Sequence, residues 1–486
     1  MARSWIKDAI NKTGEQVTLA GWVWNRRDHG KLIFIDLIDT GGAILQVVFA
    51  PGANGLPPGA ETLRINDVIE INGKMAERPS KMVNLNLETG KVEFQAEELK
   101  ILNKANPAPF DITDSGYEIN EETRLKYRYL DLRRIRLLKN LKERHKTIDF
   151  MRNFLKERGF TEVETPMLTK STPEGARDFV VPSRLHKGKF YALPQAPQQF
   201  KQLLMVAGLE RYFQVAKCIR DEDTRADRQP EFTQLDIEMS FADREAVMKL
   251  NEEMIIETAR SLFPEKRIKE MPFPRISYKE AMERYGTDRP DLRTDKNNPN
   301  ELAFCWVIDF PFFEKTENKE WTFTHNPFSA AMPEWHDSLM SKKDIGEIIA
   351  AQYDIVLNGF EIGGGSVRNH RPEALKKVFE ILGYNDKQIQ ENFGHMLEAF
   401  SYGAPPHAGI AYGMDRLITI LLNEPNIREV IAFPKTGDGR DLMMSAPSEI
   451  MAGQLKELGI AIVKPKTTKA KTTKKVKSKK PSKKRK

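Results

Sequence analysis

The chain has 486 residues, 40% of them hydrophobic, with a formal net charge of +7. That length allows about three domains and a sizeable core, which excludes a fibrous or wholly unstructured protein. Two cysteines, Cys218 and Cys305, exclude a disulfide framework, and the absence of an apolar leader or long apolar run makes a soluble, cytoplasmic protein the expectation.

Over 1–103, the stretches VTLAGWVWNRR (17–27), KLIFIDLID (31–39), AILQVVF (43–49) and DVIEINGKM (67–75) read as short strands between Gly-, Pro- and Asn-bearing turns. About five such strands predict a small barrel of the OB-fold type. Arg26, Arg27, His29 and Phe34 gather basic and aromatic groups near one hairpin. RNA recognition needs that mixture, and a protein-binding sheet accommodates it equally well. The segment 104–120, with prolines at 107 and 109, reads as a hinge. Beyond it, Leu138, Leu141, Ile148, Met151, Phe154 and Leu155 recur at helical spacing up to Gly159. Strands and helices then mix without regular βαβ alternation, so an α+β domain with an antiparallel sheet is expected over 121–445.

Inside it, Phe213–Phe241 packs Arg220, Arg225 and Arg228 among seven carboxylates. Its flanks alternate apolar and polar residues, as two strands joined by a charged loop would. Such charges are costly to bury unless they meet ligands or one another, and a solvated hairpin is the plain alternative. No GxxxxGK[ST], GxGxxG, HExxH or GxSxG occurs, which removes the P-loop, Rossmann, zincin and α/β-hydrolase devices. A short extension (446–463) leads to Lys464–Lys486, which holds 13 Lys+Arg and no acid, leaving the rest of the chain at −6. This tail cannot build a core and is expected to be disordered. It either attracts polyanions in a salt-sensitive way or serves solubility alone.

Three stretches carry a specific resemblance. GFTEVETP (159–166), the hairpin around Arg220–Glu222, and GIAYGMDRL (409–417) resemble motifs 1, 2 and 3 of class II aminoacyl-tRNA synthetases. Around them, TPEGARDF (172–179), YALPQAPQQFKQLLM (191–205), RADRQPEFTQLDIEMSF (225–241) and NGFEIGGGSVR (358–368) resemble bacterial-type aspartyl-tRNA synthetases, and RRDHGKLIFIDL resembles their anticodon-binding OB domain. The match runs in order from about residue 1 to about 445.

The resemblance implies aspartate activation by ATP and transfer of the acyl group to the 3′-hydroxyl of a tRNA's terminal adenosine. Both steps develop negative charge, so positioning and fixed positive charge carry the chemistry. On that basis Arg220 grips the α-phosphate and the substrate carboxylate, and Glu222 positions the adenine or its neighbour. Arg225 and Arg416 hold the outer phosphates and Gln229 contacts the nucleotide. Glu361, Gly413 and Asp415 complete the ATP set. Arg220, Glu222 and Arg416 are the implied catalytic residues. Asp354 and Glu361 are the implied oxygen ligands of Mg²⁺. Lys201 and Arg368 meet the substrate's β-carboxylate, with Asp236 and His325 completing that network. Glu174 and Gln198 meet the α-amino group. Arg27, His29, Phe34 and Gln46 are the implied anticodon contacts. Pro166 lies where the family forms its dimer, so a homodimer is expected.

The pattern also has departures. GTDRPDLR (286–293) is followed almost at once by FCWVIDFPFFE (304–314), so the large insertion usual in the bacterial family is reduced to a short connection near 290–303. Asn326, Ala196 and Ala408 stand where histidine, serine and glycine are common. His29 stands where strict relatives tend to have leucine, which points to charging of both the aspartate and the asparagine tRNA. Two relatives within the class compete. Asparaginyl-tRNA synthetase gives no reason for paired Lys201 and Arg368, and a tRNA-independent asparagine synthetase gives none for the OB-like region. An inactive RNA-binding paralogue is expected to have lost Arg220, Glu361 or Arg416, and all three stand.

Overall fold

The computed structural model describes residues 2–52, 55–172, 175–222 and 227–463. Five N-terminal strands, β1 (Gln16–Asp28), β2 (Ile33–Ile38), β3 (Ile44–Phe49), β4 (Val68–Glu77) and β5 (Val92–Asn103), close into a barrel in the order β1-β2-β3-β5-β4. Alternation explains the closure: Leu19, Val23, Ile35, Leu37, Val47, Ile71 and Phe94 point inward and fill it. A bulge between Asn72 and Gly73 bends β4 against β5. A Cβ on Gly73 would stand 2.0 Å from the Gln95 carbonyl oxygen, so only glycine allows that approach.

The second body is an antiparallel-rich sheet flanked by helices. Its eight strands run in the spatial order Arg275–Ser277, Phe304–Ile308, Gln352–Leu357, Phe360–Val367, His407–Gly413, Glu231–Ser240, Arg211–Ile219 and Thr161–Glu162. The outermost pair at each edge is parallel, and the remaining pairs are antiparallel. Helix Ile135–Glu157 buries Met151, Phe154 and Leu155, and helix Arg244–Leu262 buries Val247, Met254 and Ile255, all within one core with Phe213, Ile237, Trp306 and Ile410. Burial of these large apolar groups contributes most of the driving force for folding. No helix among the described residues is long and apolar enough to cross a membrane.

The segment after β5 is fastened rather than free. Ile112 is buried with Trp24 and Ile38 of the barrel, and the carbonyl oxygen of Asp111 accepts from Arg134 Nη2 at 2.7 Å. Arg133 stacks over Trp22 at 5.0 Å. Beyond it lies a buried knot of charge. Asp131 is held by Arg124 (3.1 Å), Arg128 (2.7 Å) and Arg134 (2.7 Å), while Glu429 takes Arg124 (2.7 Å) and Arg136 (2.8 Å). Burial works against both carboxylates, but the arginines prevail and hold them below their ordinary range. The knot ties residues near 130 to residues near 429.

Candidate active site

One cavity of about 640 Å³ opens over the middle of the sheet, between the charged hairpin and the loops at 175–176 and 322–326. Helix Gln198–Val206 forms one wall. It places Gln198, Lys201, Gln202 and Met205 on a single face through i, i+3, i+4, i+7 spacing. Facing it is strand Glu231–Ser240. Its alternate residues Gln234, Asp236, Glu238 and Ser240 point toward the helix, and Ser240 Oγ donates to Met205 Sδ at 3.2 Å.

One end of the cavity is a buried ion cluster. Lys201 Nζ sits 2.6 Å from Asp236 Oδ1 and 3.2 Å from Glu238 Oε2. Arg368 grips Glu238 with two bonds, Nε to Oε1 at 2.9 Å and Nη2 to Oε2 at 3.1 Å, and donates from Nη1 to Ser366 at 2.7 Å. Burial opposes ionisation of Glu238, yet Arg368 and Lys201 hold its pKa at about 2. For Asp236, burial outweighs Lys201 and pushes the pKa up. Its Oδ2 makes no hydrogen bond among the described residues. Glu238 fits only because Gly409 stands opposite it: a Cβ there would lie 2.0 Å from Glu238 Oε2. Lys201 has three N–H groups and Arg368 five, so both retain donors for a further anion after these contacts.

The other end carries cations with open valences. Arg220 follows strand Arg211–Ile219, and its backbone N–H donates to Pro230 at 2.8 Å. Its guanidinium lies 5.0 Å over the Phe232 ring and makes no ion pair with any described residue. Arg416 opens helix Met414–Leu421 after Gly413. It meets Asp227 at 3.1 Å and the Glu361 backbone oxygen, while its buried Nε has no partner among the described residues. Gln229 accepts from the Lys435 N–H at 2.7 Å, and its buried Nε2 is unpaired among the described residues. Glu222 lies at the rim, 3.5 Å from Arg228. Thus Arg228 pairs with Glu222 here, and Asp227 partners Arg416.

Asp354 and Glu361 occupy adjacent strands. Gln352 donates to Asp354 at 2.7 Å, and His325 Nε2 lies 3.1 Å from its other oxygen. Burial opposes the His325 charge, but Asp354 and Glu361 hold its pKa up at about 9. Burial and the neighbouring Asp354 raise Glu361. Two carboxylates in mutual repulsion are a donor set that a hard cation relieves, and a Mg²⁺ bound mainly by phosphates needs no more. No cluster of three metal-ligating side chains occurs among the described residues.

Placement of the expected residues follows. Gln198, Lys201, Asp236, Arg368, Arg220, Glu222, Gln229, Glu361, Asp354, His325, Gly413, Asp415 and Arg416 all line the one cavity. His325 bonds Asp354 rather than Lys201 or Arg368. Asp415 is engaged on both oxygens, by the Thr233 N–H at 3.0 Å and by Arg144 at 2.5 Å, so it fastens strand to helix. Glu174 and Arg225 lie outside the described residues, as does the Lys-rich tail. Sequence reasoning missed Glu238, although its two-residue spacing from Asp236 placed it on the same face. It also missed Arg144, whose partner lies 271 positions away.

On the barrel, Arg27 donates to Asp36 (2.9 Å) and Gln46 (3.2 Å), and His29 meets the Phe34 ring edge-on at 5.5 Å. These four expected contacts share one outer face.

The sequence profile described as tRNA synthetases class II (D, K and N) matches residues 120–437, and the OB-fold nucleic acid binding domain profile matches 17–102. This chain belongs to the class II tRNA synthetases. The synthetase is 41% identical to the aspartate–tRNA(Asp/Asn) ligase of Chlorobium chlorochromatii over 588 aligned positions, covering 95% of this chain and 96% of that protein. It is 40% identical to the aspartate–tRNA ligase of Staphylococcus saprophyticus, covering 92% and 97%. The alignment of 588 positions exceeds the 486 residues here, so at least 102 positions of the first relative have no counterpart in this synthetase. The same fold occurs in the asparaginyl-tRNA synthetase of Pyrococcus horikoshii complexed with asparaginyl-adenylate (TM-score 0.71, 22% identity, 90% and 98% covered). It also occurs in the aspartyl-tRNA synthetase of Entamoeba histolytica (TM-score 0.69, 20% identity, 89% and 91% covered).

Proposed function

We propose that this synthetase activates L-aspartate with ATP, releasing pyrophosphate, and transfers the aspartyl group to the 3′-hydroxyl of the terminal adenosine of tRNA(Asp), and of tRNA(Asn) as well. The observation that carries aspartate rather than asparagine is the buried Lys201–Glu238–Arg368 cluster. Its two cations line the cavity and keep N–H donors beyond those used in these pairs. An amide there would leave part of that positive charge unanswered, a mismatch that discriminates strongly in a desolvated site.

In this reading Arg368 and Lys201 hold the β-carboxylate with Asp236 in the same network, and Gln198 meets the α-ammonium. Arg220 draws the α-carboxylate and the α-phosphate together. The α-carboxylate oxygen attacks phosphorus, the bond to pyrophosphate breaks, and Arg220 stabilises the charge on the crowded centre. Nε of Arg416 and Nε2 of Gln229, unpaired among the described residues, supply further donors to the nucleotide. Mg²⁺ bound by Asp354 and Glu361 would neutralise phosphate charge. No side chain needs to act as nucleophile. Aspartate-dependent ATP–pyrophosphate exchange tests the reading; exchange with asparagine and none with aspartate would overturn it.

The barrel face of Arg27, His29, Phe34 and Gln46 is assigned to the anticodon. A histidine beside an arginine and an aromatic ring accommodates either of the two anticodons, which differ at one base. Charging assays with each purified tRNA check this, and absence of aspartylation of tRNA(Asn) removes the relaxed specificity. The exposed edge at Pro166, Met167 and Leu168 is assigned to a homodimer, measured by sedimentation of the full chain.

A further inference from the structure

Behind the wall helix runs a line of polar groups that the chemistry above leaves unused. His407, the first residue of strand His407–Gly413, is fully buried. Its Nδ1 lies 2.8 Å from the carbonyl oxygen of Pro405. A carbonyl can only accept, so Nδ1 carries the proton. The charged and titratable groups facing the ring are Glu238, Arg368 and His370. Burial lowers the pKa of His407 despite the pull of Glu238, so the ring is neutral and Nε2 is an acceptor. Gln202 Nε2 stands 3.1 Å from it and donates. That choice turns Gln202 Oε1 the other way, where it accepts from Gln198 Nε2 at 3.0 Å.

Each bond in this line dictates the next. One N–H of the Gln198 NH₂ is committed to Gln202, which sets the orientation of the amide and leaves its carbonyl oxygen as the acceptor it offers to the cavity it lines. We propose that His407 is a positioning residue for amino-acid recognition: through Gln202 it fixes the amide of Gln198 so that an oxygen, rather than an NH₂, meets the substrate α-ammonium. The proposal rests on the assignment of Gln198 to that ammonium. Without the line, the Gln198 amide reverses at little cost, and its NH₂ then opposes a cation. A donor-rich ring at position 407 has the same effect, because a second ring N–H forces Gln202 to reverse and to pass the reversal on. The general geometry of the site is untouched in either case.

The test uses ATP–pyrophosphate exchange by the full chain and four variants: Gln202→Met, His407→Leu, His407→Gln and Gln198→Leu. Gln202→Met and His407→Leu are expected to raise KM for aspartate roughly 10-fold, the loss of one charge-assisted hydrogen bond, while KM for ATP stays within about 2-fold. Inhibition by succinate, which keeps both carboxylates and lacks the ammonium, is expected to stay unchanged. His407→Gln offers Gln202 a carbonyl acceptor and is expected to regain most of the affinity. Gln202→Met is close to isosteric, so it carries the test if His407→Leu does not fold. If Gln198→Leu weakens aspartate but Gln202→Met does not, the line is overturned and the Gln198 assignment stands. If Gln198→Leu leaves aspartate binding unchanged, the assignment itself has failed and takes the proposal with it. Parallel weakening of succinate and aspartate would reveal general damage to the pocket and would also overturn it.

Discussion

The two ends of the cavity are built on opposite terms. At the amino-acid end, Lys201, Asp236, Glu238 and Arg368 arrive already paired and buried, so the charges hold one another in place before any ligand enters. At the end proposed to take the nucleotide, among the described residues, Arg220 has no ion pair and Arg416 Nε and Gln229 Nε2 have no partners. The first end is therefore part of the fold's stability, and the second keeps its donors open, as the proposed binding of phosphate requires. A closed cluster selects by shape and charge against a near-identical rival, whereas open donors serve a ligand whose charge grows during the reaction.

Variants can break or sharpen this contrast. Arg220→Ala is expected to slow adenylate formation by about 10²–10³-fold, as removal of one charge-stabilising donor does elsewhere. Its melting temperature is expected to stay close to that of the parent, and a large drop would mean that Arg220 is also part of the scaffold. Glu238→Gln is expected to lower stability as well as aspartate binding. Arg368 and Lys201 lose their shared counter-charge in a buried site, at a cost of about 3 kcal/mol read from the urea midpoint. If both variants lower stability equally, the division between the two ends fails.

Acid titration sharpens it further. Glu238 is held at about 2 against an ordinary 4.5, so its contribution to stability is present in full above 4.5 and is lost as pH falls toward 2. The stability gap between parent and Glu238→Gln should therefore narrow below pH 4.5; a gap that stays constant would show that the charge is not what matters. The smallest expected effect on the cavity comes from outside both ends. Deleting Lys464–Lys486 should leave aspartate activation intact and flatten the salt dependence of tRNA binding, and an unchanged salt slope would remove the polyanion role of the tail.

How much of this was legible in the chain depends on sequence distance. The barrel strands are legible because apolar residues alternate within each of them, as at Val17, Leu19 and Val23, at Ile33, Ile35 and Leu37, and at Leu45, Val47 and Phe49, and period 2 is a local property. The class motifs brought Arg220 and Arg416 to one site, and the stretch at 191–205 added Lys201. It gave Asp415 to the nucleotide, whereas Arg144 and Thr233 take its oxygens. Asp236 and Glu238 share a face by spacing alone. Their division of labour does not follow from spacing, because Arg368 reaches Glu238 across 130 positions and only the sheet order makes them neighbours. The line from His407 to Gln198 was hidden for the same reason: Gln202 and His407 are 205 positions apart. Glycine at 409 becomes intelligible only once the carboxylate opposite is seen.

The buried knot around Asp131 has a consequence for synthesis on the ribosome. Arg124 and Arg136 find Glu429 across about 300 residues, so their partner is among the last parts of the domain to be made. At an elongation rate of about 5–20 residues per second, the early arginines wait tens of seconds for it. Meanwhile the barrel, whose strands all lie before residue 104, has everything it needs to close. The nascent synthetase thus passes through a stage with a finished RNA-binding head and an unlocked body. A chain truncated before Glu424 would remain at that stage, a natural client for chaperones and proteases.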